Sequence, residues 1–186
     1  MTKVFIGGSR HASRLNAQIR RRLDNIIEKG FPVVIGDANG ADKAVQQYLC
    51  SKHYQNVEVF CTERICRNNV GNWPIRSISA PTRHYDAQFY SAKDRAMAIE
   101  ATVGLMVWDG KSLGTLLNVF RLLRLQKKAV IYTLPERRFQ EFRNLDEWER
   151  FLAGRDMGLR RKVEQRTKLE ATPTIGSLQT SFLDQR

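Results

Sequence analysis

The sequence predicts an α/β fold, a Rossmann-like open parallel sheet of about five strands with helices on both faces. Three observations lead there. Short apolar runs alternate with stretches of helical period. The runs end in glycine or small polar residues, as buried strands do before a tight turn. One run, Val103 to Trp108 (VGLMVW), is apolar without alternation, as expected of a strand covered on both faces.

The elements follow in order. The stretch Lys3 to Gly8 carries VFIGG, a strand and turn. Leu15, Ile19, Leu23, Ile26 and Ile27 then share one helical face, with Ser13 placed to cap its start and Gly30 its end. Val33 to Ile35 is a second strand closed by Gly36. Ala41, Ala44, Val45, Tyr48 and Leu49 mark a second helix, and Val57 to Phe60 a third strand. This β-α-β-α-β order favours parallel pairing through crossover helices. From Cys61 to about Arg83 no period emerges, and the stretch reads as a long loop holding arginines 64, 67, 76 and 83. A helix is expected from Tyr85 to Ala101, with Phe89, Ala92, Ala96 and Ile99 inward. The VGLMVW strand, a largely apolar helix from Ser112 to Gln126 and a strand from Ala129 to Leu134 follow. A short helix from Asn144 to Leu152 has a capping-box pair in Asn144 and Glu147.

Residues 1–154 therefore form the predicted domain. Residues 155–186 are a basic polar tail, expected to be partly helical. The apolar surplus of the Ser112–Gln126 helix suggests a homodimer or higher homo-oligomer.

Composition narrows the function classes. The 186 residues carry 42% hydrophobic and 27% charged residues, ordinary globular values that argue against a disordered chain. No apolar run approaches the roughly 20 residues of a membrane span, so no membrane partner is expected. The N-terminus lacks the form of an export signal, which places the protein in the cytoplasm. Three cysteines without such a signal argue against a disulfide framework, and the Cys61/Cys66 spacing is unusual for zinc. Neither a metal nor a cofactor is expected. The net charge of +12 favours anionic partners, whether phosphates, nucleotides or nucleic acid.

Ligands of open α/β sheets sit beyond the carboxyl ends of the strands. Three such ends carry fitting residues. Gly7, Gly8, Ser9 and Arg10 combine close backbone approach, a hydroxyl donor and a guanidinium for phosphate. They do not form the G-x-G-x-x-G fingerprint, which disfavours dehydrogenase chemistry. Asp37, at the end of the second strand, is placed to hold ribose hydroxyls, and Asp42 opens the next helix. Asp109, Ser112, Gly114 and Thr115 link the central strand to a helix whose N-terminus favours anions. Lys93, Asp94 and Arg95 project charge from the preceding helix.

In this order GGSR, GDANGAD, KDRAM and GLMVWDGKSLGT resemble the SLOG superfamily, and within it the YspA-type Rossmann-like proteins. The resemblance spans about residues 3–134. It implies kinship with the lonely-guy phosphoribohydrolases and with DNA-processing protein A. It also implies a nucleotide-derived ligand, a nucleoside phosphate or an ADP-ribose-like molecule, bound in a sensor or an enzyme. The phosphoribohydrolase loop PGGxGTxxE aligns with Gly110 to Asn118. Gly114-Thr115 match its GT, but Asn118 stands where that family has its catalytic Glu. A neutral amide neither acts as a base nor offsets a developing cation. If the chain is an N-glycosidic-bond hydrolase or transferase, Arg95 matches the family arginine, and Asp37, Asp94 or Asp109 would carry the acid role. A third expectation is nucleic-acid binding through the scattered arginines.

Overall fold

A computed structural model describes residues 1–63, 66–79 and 87–171. It contains seven strands and six helices in the order β1 (Val4–Gly8), α1 (Ala17–Glu28), β2 (Val33–Gly36), α2 (Ala41–Ser51), β3 (Val57–Thr62), β4 (Ile75–Ile78), α3 (Ala87–Glu100), β5 (Val103–Trp108), α4 (Leu113–Arg124), β6 (Lys128–Thr133), β7 (Arg138–Phe142), α5 (Leu145–Ala153) and α6 (Met157–Ala171).

The strands form one sheet in the order β4-β3-β2-β1-β5-β6-β7. Six are parallel, and β7 returns antiparallel on β6. The chain builds outward from β1 through β2, β3 and β4, then crosses back to lay β5 on the other side of β1. The β1/β5 boundary is thus the switch point at which a ligand crevice opens. Alternation along the strands divides the core. Val4, Ile6, Val33, Ile35, Leu105 and Val107 face α1 and α2. Phe5, Val34, Phe60, Met106 and Trp108 face α3, α4 and α5. The expected helices on both faces are present.

Several expectations are corrected. The sheet has seven strands rather than about five. β4 falls inside the stretch read as loop, and β7 follows β6 directly. Both are short edge strands whose exposed and half-buried residues give no apolar run. In α1 the cap is Asn16, whose side chain accepts from the Ile19 N–H, and not Ser13. Along α3 the inward residues are Ala92, Lys93, Met97 and Ala98, while Ile99 is exposed. The side chain of Phe89 lies outside the described residues, as do Arg64 and Arg83.

Cys61 and Cys66 are joined in a disulfide, although the cysteine count and the lack of an export signal argued against disulfide bonding. Cys61 lies in β3, and its Cα is 5.2 Å from that of Cys66, within disulfide range. The tail is also more structured than its composition suggests. Asp156 accepts from the Leu159 N–H to start α6, and Val163 is buried against the apolar face of α4. The apolar surplus of α4, which suggested self-association, is covered within the chain by α3, α5 and α6. No described helix is long and apolar enough to cross a membrane.

Candidate functional site: a cationic cleft at the switch point

A cleft of about 260 Å³ opens where β1, α2, α3 and α4 meet. Its walls include Gly7, Gly8, Arg10, Asp42, Ser112, Gly114 and Thr115, all singled out from the sequence. Three strand ends far apart in the chain thus share one cavity, because parallel pairing aligns their carboxyl ends.

The α4 wall is built for an anion. Asp109 accepts from the backbone N–H of Lys111 and Ser112, at 3.0 and 2.8 Å, folding the turn that leads into α4. The Trp108 indole donates to the Ser112 carbonyl and pins the same turn. Ser112 makes no side-chain cap, and the first turn of α4 holds no acidic residue. Within the helix no acidic side chain offsets its positive end, and the nearby Asp109 carboxylate is engaged by the two N–H groups that precede α4 and by Ser9. Thr115 is 2% exposed, and its Oγ1 is buried with no hydrogen-bond partner. A buried hydroxyl without a partner is costly, so an acceptor in the cleft would relieve it.

The opposite wall is ionic. Lys93, 3% exposed, sets its ammonium 2.8 Å from Asp37 Oδ1 and 3.8 Å from Asp42 Oδ2. Arg67 grips the same Asp37 carboxylate through its backbone N–H, its Nε and its Nη2. Burial raises the proton affinity of Asp37, but Arg67 and Lys93 outweigh it and hold the carboxyl well below the usual range. For Asp42 burial wins. Lys93 offsets it only in part, the Asp94 and Asp37 charges add to it, and the carboxyl is pushed up to about 6. Phe5 and Met97 add apolar surface, and His11, Asp94 and Asn118 complete the polar rim.

Four expected site residues are not in the lining of the cleft. Ser9 is fully buried, donates to Asp109 Oδ2 at 2.7 Å and accepts from the His11 N–H. Asp109 is taken up by Ser9 and the α4 turn, and despite partial burial these donors hold its carboxyl below the ordinary value. Asp37 is 1% exposed and closed in by its two cations. Arg95 is not among the lining residues, and its guanidinium turns toward Glu170 at 3.9 Å. Sequence reasoning met Lys93 and Arg67 only among scattered charges and passed over His11, since isolated charges in a helix or loop look like solvated surface.

The Asp37 carboxylate and the sulfurs of Cys61 and Cys66 also lie within 4.8 Å of one another, a metal-like spacing. The residues do not suit a cation. The sulfurs are bonded to each other, and both carboxylate oxygens already accept from Arg67 and Lys93. A larger hollow of about 660 Å³ lies by β7 and α5, where Glu136 pairs with Arg138 and Arg155 and leaves its charge compensated.

No protein-family model and no curated protein matches the chain. Among solved structures, the chain is similar to DNA processing protein A from Helicobacter pylori, whose single-stranded DNA binding mode that structure describes. The TM-score is 0.53 at 15% identity, over 90% of this chain and 80% of that one. The likeness is one of fold.

Proposed function

We propose that the chain binds a nucleotide-derived ligand in the switch-point cleft, its phosphate seated on the N-terminus of α4. The observation that carries this reading is the convergence of Gly114, Thr115 and the start of α4 with Arg10, Arg67 and Lys93 on one cleft, where the buried Thr115 Oγ1 has no hydrogen-bond partner. The amides of the first helical turn and the Thr115 hydroxyl supply donors, and Arg10 supplies charge beside Arg67 and Lys93, which share theirs with Asp37. A cavity of about 260 Å³ is just below the roughly 300 Å³ at which small-molecule sites begin, which suits one nucleotide better than a dinucleotide.

The test is thermal unfolding of the full chain with inorganic phosphate and a panel of nucleoside phosphates. Ligand at 100 times its Kd is expected to add about 2.7 kcal/mol to stability. An unfolding midpoint unmoved by millimolar concentrations of every compound overturns the reading.

A second reading, single-stranded DNA binding, is favoured by the likeness in fold to DNA processing protein A and by the net charge of +12. It predicts affinity whose logarithm falls with the logarithm of salt at about −0.7 per phosphate contacted, hence steeply for an extended strand. Binding confined to one phosphate gives a slope shallower than −1 on the same rule. A hydrolase or transferase reading has less support, since Asn118 faces the cleft where the related enzymes carry an acid.

A further inference from the structure

Asn118 and Asp94 stand side by side on the rim of the cleft, and one buried arginine holds both. Arg121, on α4, is 7% exposed. Its Nη1 donates to Asn118 Oδ1 at 2.6 Å and lies 3.7 Å from Asp94 Oδ2. The rest of its guanidinium is clasped by Glu170 of α6, through Nε at 2.9 Å and through Nη2. Arg124 Nη1 also donates to the Glu170 carbonyl at 3.3 Å, which fixes the end of α6 on α4.

This arrangement decides how Asn118 faces the cleft. A guanidinium only donates, so the amide atom turned toward it must be the oxygen. The Asn118 Nδ2 is then directed away from Arg121 and has no protein partner among the described residues. Asn118 offers a donor, and Asp94 beside it offers an acceptor. Asn118 also lies four residues beyond Gly114, on the same face of α4 and about 6 Å along the axis. That is one sugar and its ester link away from a phosphate seated at the helix end.

We infer that Asn118 and Asp94 form a ribose-diol subsite, locked by Arg121 and Glu170, which selects a ribonucleotide over its 2′-deoxy counterpart. The inference rests on the phosphate seat proposed above. Each hydroxyl of a vicinal diol both donates and accepts, so one accepts from Asn118 Nδ2 while its neighbour donates to Asp94. Loss of either hydroxyl leaves one of the two groups without its partner. Glu170 is a positioning residue, acting through Arg121 without touching the ligand.

The test is calorimetric titration of the full chain with inorganic phosphate, the four ribonucleoside 5′-monophosphates and their 2′-deoxy counterparts. The best ribonucleotide is expected to bind at least tenfold more tightly than its deoxy form. In Asn118→Leu, which removes the polar group at similar volume, that ratio falls toward one. In Glu170→Gln it falls part of the way, whereas a general loss of folding lowers both affinities and leaves the ratio alone. Equal ribo and deoxy affinities in the unaltered chain overturn the subsite and leave the phosphate seat standing. Failure of phosphate and of every nucleotide to bind removes the seat and the subsite together. An unchanged ratio in Glu170→Gln overturns the positioning role.

Discussion

Asp37 and Asp42 lie five residues apart and share Lys93, yet they are held in opposite protonation regimes. Asp37 has two cations on its oxygens and stays ionised. Asp42 has one backbone donor, Ala38 N–H at 3.2 Å, and a more distant ammonium, so burial lifts it to about 6 against an unfolded value of 3.8. The folded chain therefore binds this proton more tightly than the unfolded chain does. Its contribution to stability is complete below about pH 4 and is lost as pH rises through about 6. Asp37 and Asp109 are held low and act with the opposite sign, losing stability on acidification. Comparison with Asp42→Asn isolates the first effect. Between pH 4 and 7 the unaltered chain is expected to lose on the order of 1–3 kcal/mol relative to the variant, read from urea unfolding. Parallel pH profiles for the two proteins would contradict the burial argument. The sequence separates these two aspartates only by place, a strand end against a helix start, and says nothing of their charge. Both sit in GDANGAD, and only the arrival of Arg67 from the loop and Lys93 from α3 assigns one to an ion pair and the other to the cleft wall.

Among the elements, the glycine-bearing turns were legible because close backbone approach demands small residues, but their tasks differ. A Cβ on Gly8 would meet the Val107 carbonyl oxygen at 2.3 Å and the Ala41 Cβ at 2.8 Å. This glycine lets β1 and β5 end flush beneath the start of α2. A Cβ on Gly114 meets nothing within 4 Å, and the space it would enter borders the cleft. Gly8→Ala is therefore expected to cost about 1–3 kcal/mol of stability by overpacking. Gly114→Ala should leave stability equal or raise it by up to about 1 kcal/mol through helix propensity, while weakening phosphate binding at least several-fold. Chemical unfolding beside phosphate titration distinguishes them, and a destabilised Gly114→Ala with intact binding would remove Gly114 from the seat. The central strands were readable from their apolar runs. The edge strands β4 and β7 were not, since half of an edge strand faces solvent and carries residues such as Arg76, Arg138 and Gln140. On α3 the apolar period misled because a buried lysine, Lys93, occupies an inward position that only its carboxylate partners make tolerable.

At the scale of the whole molecule, the last described helix ties the far end of the chain to the cleft. Its composition, MGLRRKVEQRTKLEA, offers a single strongly buried residue, Val163, so it reads as a solvated tail. What holds it is specific. Val163 covers apolar surface of α4, and Glu170 closes on Arg121, a guanidinium otherwise buried among Asn118 and Asp94. Removing α6 would uncover the apolar surface of α4 beneath Val163 and leave Arg121 without its main counter-charge, a loss of about 3–5 kcal/mol where a buried pair is broken. A chain ending at Gly154 is accordingly expected to unfold at lower urea than the full chain and to associate through the bared face of α4 as concentration rises. Sedimentation and unfolding measurements check both outcomes. A truncated chain that stays monomeric with undiminished stability would mean that α6 rests on the domain without supporting it, and that Arg121 finds sufficient compensation in Asp94 alone.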